Sequence, residues 1–141
     1  MHDQIVRITS RLVVPFIQVY GIYVILHGHL SPGGSFSGGA IFGASLVLVA
    51  LSFNLEAGSR MIPHHTASVL ESGGALGYVL TGLVGVFAGT YFLANQLAGF
   101  PMGQPGQLFS AGAILVITVF VGVKVASTIV TMFFYIIEGE K

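Results

Sequence analysis

SAGAILVITVFVGVKVASTIVTMFFYII, residues 110–137, decides the fold class. A single charge, Lys124, interrupts an otherwise apolar run. A helix of this length reaches about 42 Å at 1.5 Å per residue. That exceeds the roughly 30 Å of hydrocarbon in a bilayer. A helix apolar on every side is either buried in a large core or in lipid, and 141 residues leave little room for the first.

Three further runs repeat the pattern. The expected spans are approximately 12–28, 35–55, 74–97 and 109–137. The connecting stretches are rich in turn formers: His27 to Gly34, Glu56 to Gly74, and Gly99 to Gly106. Only 7% of the chain is charged and 54% is hydrophobic, whereas soluble domains carry about 25% charged residues. The sequence therefore predicts an all-α integral membrane protein. It has four transmembrane helices forming one domain over residues 1–141. Arg7 and Arg11 before an apolar run mimic a signal peptide, but His27-Gly28-His29-Leu30-Ser31-Pro32 follows in place of a small-x-small cleavage site, so the first helix is read as retained.

Composition also excludes chemistry. No cysteine is present, which removes disulfides, thiolate catalysis and thiolate metal ligation. The formal net charge is zero, so nothing points to nucleic acid. No nucleophile–base pair, no paired carboxylates within a span and no His/Glu cluster at metal-ligand spacing is found. The expectation is a non-enzyme with no metal and no cofactor.

Lys and Arg in short flanks set orientation. Arg7, Arg11, Arg60 and Lys141 fall on one side of a four-span layout and none on the other. The sequence thus places both termini and the middle loop in the cytoplasm.

Lys124 is the most informative residue. Thirteen residues separate it from Ile137, about 20 Å of helix, too far for its side chain to reach water at the membrane surface. A charge there costs at least about 2.5 kcal/mol, and intramembrane ionisable groups are functional by default. On the expected spans no acid lies at matching depth, because Glu56 and Glu71 fall at the boundary and Glu71 reads as a cap of the third helix. The partner is therefore sought on another subunit, a backbone carbonyl or water. Lys124 reads either as a site on a proton or ion route or as an ion pair that docks a neighbouring subunit.

The segment Gly28 to Gly39 is the second feature. Pro32 fits a turn or first helical position. Gly34 with Gly38, and Gly39 with Gly43, form a four-residue ridge for close helix contact. The segment lacks the Lys-Ser/Thr ending of a phosphate loop, which excludes nucleotide binding. His27 and His29 flank the turn without sharing a helix face. His29 is a candidate for passing protons, against a plain interfacial role. His64 and His65 read as solvated loop residues. Asn95 and Gln96 read as the polar end of the third helix, and Gly73/Gly77 and Gly85/Gly89 as packing ridges.

The run Gly28-His29-Leu30-Ser31-Pro32-Gly33-Gly34-Ser35-Phe36-Ser37-Gly38-Gly39 at the head of a span resembles the signature of the MnhB/MrpB family. These are B subunits of Mrp-type multisubunit Na+/H+ antiporters. The matching positions are Gly28, His29, Pro32, Gly33, Gly34, Phe36, Gly38 and Gly39, and Ser35 departs where glycine is common. The resemblance implies an accessory subunit beside larger antiporter-like subunits in the cell membrane of a prokaryote. In such a complex proton entry drives out sodium. A subunit of a redox-driven ion pump of the membrane-bound hydrogenase type is the alternative. On this reading Lys124 and His29 are the candidate ion-pathway residues.

The charge asymmetry gives a topological prediction. A reporter fused after Lys141 should read as cytoplasmic, and an extracytoplasmic signal refutes the assignment.

Overall fold

The computed structural model describes residues 2–30 and 32–139. Ser31 of the Gly-rich motif and Lys141 of the orientation argument lie outside the described residues. Helix α1 spans His2–Leu26, α2 Gly34–Ser52, α3 Leu55–Met61, α4 His64–Phe87 and α5 Ala113–Gly139, with a single 3-10 turn at Gln96–Ala98 before α5. Four of them are long and apolar enough to cross a membrane: Gln4–Leu26 within α1, then α2, α4, and Ala113–Ile137 within α5. The chain is all-helical with four candidate spans, as the sequence predicts.

The helices pack in the order α1, α2, α5, α4. Glycines set the approach at each interface. Between α1 and α2, a Cβ on Gly38 would lie 2.7 Å from a side-chain carbon of Ile25. Between α2 and α5, a Cβ on Gly39 would lie 2.6 Å from the Gly122 carbonyl oxygen, and one on Gly43 3.0 Å from that of Ala126. Between α4 and α5, a Cβ on Gly74 would lie 2.8 Å from the Phe120 carbonyl oxygen. Lipid is as apolar as Leu, so membrane helices gain by packing backbones closely and not by hiding apolar surface. The expected ridge is therefore real from Gly38 to Gly43. Gly34 is not part of it, since nothing lies within 4 Å of its would-be Cβ. With φ +136° at Gly33 and +64° at Gly34, these two serve the turn.

Two spans sit elsewhere than expected. α1 begins at His2 instead of near 12, so Arg7 and Arg11 lie on its first turns. Arg7 donates to the Phe53 carbonyl at 3.3 Å, and Arg11 lies 5.6 Å from the centre of the Phe53 ring. Both cations thus sit against the carboxyl end of α2, where the helix dipole favours positive charge. Between the two arginines in sequence, the buried hydroxyl of Ser10 bonds that of Ser52 at 2.6 Å.

The larger shift is α4, which covers 64–87 and not 74–97. Residues 56–74, read as a polar loop, hold α3 and the first turns of α4. Residues 88–112 leave the helix. Gly89 and Leu93 adopt left-handed φ values of 75° and 62°, and the chain folds back along α4. The Leu93 amide bonds the Gly82 carbonyl at 3.3 Å and the Thr90 amide bonds that of Gly85 at 3.0 Å. Phe92 fills the space beside Gly82. Asn95, expected at a helix end, closes this excursion. Its side-chain amide donates to the Ala111 carbonyl at 2.8 Å, and its oxygen accepts the Ala113 amide at 3.0 Å. It therefore caps α5 from a distant point in sequence.

Gly39→Ala should destabilise the α2–α5 interface by about 1–3 kcal/mol. Gly73→Ala, with open space at its Cβ, should be neutral or slightly stabilising because alanine favours the helix. Thermal melting of the two variants in mild detergent checks this, and equal melting temperatures would refute the packing role.

Candidate functional site: an ion pair between two spanning helices

The register of α4 on α5 brings Glu71 opposite Lys124. Lys124 lies eleven residues into α5 and Glu71 seven residues into α4, about 16 Å and 10 Å along their helices. Their Nζ and Oε1 atoms are 3.6 Å apart. The Thr128 hydroxyl donates to the same Oε1 at 2.8 Å. Gly74 makes this possible. Its missing side chain lets the Lys124 backbone approach, with a would-be Cβ at 2.9 Å from Lys124 Cβ.

This corrects the sequence reading of both residues. Glu71 is not a cap at the start of a helix, and an acid does lie at the depth of Lys124, within the same chain. The difference is one of register, since the third span begins at His64, ten residues before the expected start. Lys124 therefore has an intramolecular counter-charge. The pair is not sealed, however, since the two side chains keep 42% and 32% of their surface exposed. It faces outward from the four-helix array. The other ion pair among the described residues, Arg60 with Glu56 at 2.7 Å, is an exposed pair one turn apart on α3 and contributes little.

The Gly-rich turn forms a separate locale. The Ser37 hydroxyl bonds back to the Gly33 and Gly34 carbonyls, holding the start of α2. Pro32 and Phe36 are exposed, Phe36 by 68%, so the ring points away from the chain's own core. His27 stacks on Tyr23 at 4.1 Å between ring centres and bonds the Tyr23 carbonyl at 3.1 Å through Nδ1. His29 Nε2 lies 3.5 Å from the Gln107 carbonyl, tying the turn to the segment before α5. The structure does not bring His29 to Lys124, which lies about 16 Å further down α5 from its first residue. His64 sits at the first residue of α4, with its ring 5.1 Å from that of Tyr135 in an edge contact. It is a seam residue and not a loop histidine. Among the described residues no group of three His, Cys, Asp or Glu could hold a metal ion.

Residues 5–131 match the family described as "Domain related to MnhB subunit of Na+/H+ antiporter". The chain belongs to that family. It is 33% identical over 107 residues to a protein of Staphylococcus aureus named as antiporter subunit mnhB2, covering 76% of this chain and 75% of that protein. It is 37% identical over 117 residues to an uncharacterized protein of Methanocaldococcus jannaschii, covering 81% of this chain and 44% of that protein. Among solved structures it resembles a chain of the membrane-bound sulfane sulfur reductase, an archaeal respiratory membrane complex. That match has a TM-score of 0.76 and 37% identity, and covers 91% of this chain and 55% of the other. The chain thus spans about half the length of the archaeal relatives it matches. The four apolar helices and this kinship make it a multi-pass membrane protein whose relatives are subunits of multisubunit membrane complexes.

The sequence reading took Glu71 for a cap and passed over Thr128. The signal was present on α5, where Lys124, Thr128, Thr131 and Tyr135 recur at spacings of four, three and four, the period of one helix face.

The pairing can be tested by a double-mutant cycle. Lys124→Met and Glu71→Gln should each destabilise the protein by about 1–3 kcal/mol, discounted from the fully buried case for partial exposure. The double variant should cost clearly less than the sum. Additive losses would show that the two side chains do not interact.

Proposed function

We propose that this chain is an accessory membrane subunit of a multisubunit monovalent cation/proton antiporter. The complex exchanges Na+ for H+ across the cell membrane of a prokaryote. The observation that carries this reading is the family match over residues 5–131. In this reading the partners are other membrane subunits of the complex and the lipid bilayer. The chain holds no cofactor of its own, and both termini are cytoplasmic. The Gly28–Gly39 turn, with Pro32, Gly33 and Gly34 fixing its path and Phe36 exposed beside it, supports subunit contact at one end. Lys124 supports a place on or beside the ion pathway, with Glu71 as its partner. His29 belongs to the turn.

The half-exposed ion pair argues that this subunit works against a neighbour. A charged pair open to hydrocarbon is costly, so the array is completed by protein or by water on that face. The redox-driven alternative is the weaker reading, since the family description and the staphylococcal relative both name antiporters.

Removing this chain from the complex should lower Na+-dependent collapse of a pH gradient in everted vesicles by at least tenfold. The purified chain alone in liposomes should show no exchange. Undiminished exchange without the chain would overturn the proposal. Stoichiometric metal or flavin in the purified complex would transfer the assignment to a redox-driven pump.

A further inference from the structure

We propose that the seam between α4 and α5 is a hydrated half-path for protons. It runs from the end of the bundle where α4 starts and α5 finishes, and it ends at the Glu71 carboxylate. The path deepens the antiporter-subunit reading only in saying where the proton travels next; its existence rests on the seam itself.

On α5, Phe120, Lys124, Thr128, Thr131 and Tyr135 follow one another at helical spacing and form a single stripe. Their α4 counterparts run antiparallel. Gly74 meets Phe120 and Lys124, Glu71 meets Lys124 and Thr128, and His64 meets Tyr135. From the open end inward the seam therefore presents His64 and Tyr135, then Thr131, then Thr128, then Glu71 with Lys124. Beyond them the Phe120 ring fills the space left by Gly77. Past the ring, the next buried hydroxyl of α4, that of Thr81, donates to the Gly77 carbonyl at 2.7 Å.

Thr131 is the second, independent observation. Its hydroxyl oxygen is buried and has no hydrogen-bond partner. The other Ser and Thr hydroxyls of α5 are satisfied. Thr118 bonds the Leu115 carbonyl at 2.7 Å, Ser127 bonds the Val123 and Lys124 carbonyls at 3.0 and 2.9 Å, and Thr128 bonds Glu71. A buried hydroxyl left unpaired is costly, and such sites are ordinarily filled by water. Thr131 lies about 4.5 Å along the axis from Thr128 and about 6 Å from Tyr135, gaps that single waters bridge.

The chemistry favours a proton over a metal cation. The Lys124 ammonium already stands 3.6 Å from Glu71 Oε1 and repels a second cation from that oxygen. A proton instead forms an O–H bond. Hydronium at the open end gives its proton to the water and hydroxyl column. The Glu71 carboxylate takes one proton and becomes a neutral acid, and the Lys124 ammonium loses its counter-charge. Release of that proton from the acid to water on the half-exposed side restores the carboxylate and the ion pair. Among the described residues, the other ionisable groups of the seam are His64 and Tyr135 at its open end. α2, packed on α5, contains none. On α1 and α3, Arg7 and Arg11 engage Phe53, and Arg60 engages Glu56. Tyr78 on α4 lies two turns beyond Glu71, past the level of Phe120.

The natural chain has no cysteine, so single cysteines report water directly. In the assembled complex, Thr131→Cys and Thr128→Cys should react with a membrane-impermeant cationic methanethiosulfonate. Rates should be within about tenfold of the exposed α3 position Ser59→Cys, read by mass spectrometry of this chain. The buried Ser45→Cys should stay unmodified. Thr131→Val should cut exchange per assembled complex at least threefold without lowering thermal stability, and Thr131→Ser should restore it. Glu71→Gln should cut exchange at least tenfold. Thr131→Cys as unreactive as Ser45→Cys overturns the path, and full exchange in Glu71→Gln overturns its terminus. Labelling does not depend on which ion the complex carries. A labelled seam in a complex without Na+ exchange would refute the antiporter reading and leave the proton path standing.

Discussion

An ammonium group in the middle of an apolar helix must find a counter-charge, and the register of α4 on α5 answers that requirement. Lys124 sits deep within a span that has no other charge across residues 113–137. Glu71 reaches it only if α4 starts at His64. Had the third helix run from 74 to 97, Glu71 would stand outside the membrane and Lys124 would face lipid alone. The penalty for that arrangement exceeds the modest cost of placing His64, His65, Thr66 and Ser68 on the outermost turns of a spanning helix. The polar first third of α4 follows from the charge on α5.

The glycines then set how close the charges come. Ion-pair strength falls with distance and with access to water. A side chain at Gly74 would push α5 away at the level of Lys124. The same device recurs at Gly39 and Gly43, which hold α5 against α2. α5 is thus pinned on both sides by backbone contact, and the seam that carries Glu71 inherits this rigidity.

Much of the fold was legible because hydrocarbon imposes a simple rule on sequence. Twenty apolar residues make a span, and α1, α2 and α5 were found within a few residues at most of their ends, the start of α1 excepted. α4 was misplaced for a physical reason. Hydropathy scores a polar stretch as loop, so His64 to Gly73 was discarded, while Tyr91-Phe92-Leu93-Ala94 extended the apolar window beyond the helix. That tetrapeptide is apolar because it folds back onto Gly82 and Gly85 as a non-helical cover. Backbone at membrane depth tolerates this only where its polar groups are satisfied by protein, as the Leu93 and Thr90 amides are. Period and propensity cannot show such an excursion; the glycines at 82, 85 and 89 were the only trace of it. The motif at Gly28–Gly39 was legible as a turn, whereas the partner of Lys124 required the helix register.

The half-exposure of the Glu71–Lys124 pair has a structural corollary. Four helices packed in the order α1, α2, α5, α4 leave the Lys124 and Glu71 side chains 42% and 32% exposed. Glu71 and Lys124 lie on the outer helix interface, where one side is protected by α5 and its neighbours and the other is open. A self-sufficient transporter surrounds its ionisable groups with its own helices. This chain instead offers them at a surface that lipid cannot cover without penalty. The cover must then carry its own polar groups or hold water. The open side of the pair and the kinship with subunits of larger membrane assemblies point the same way.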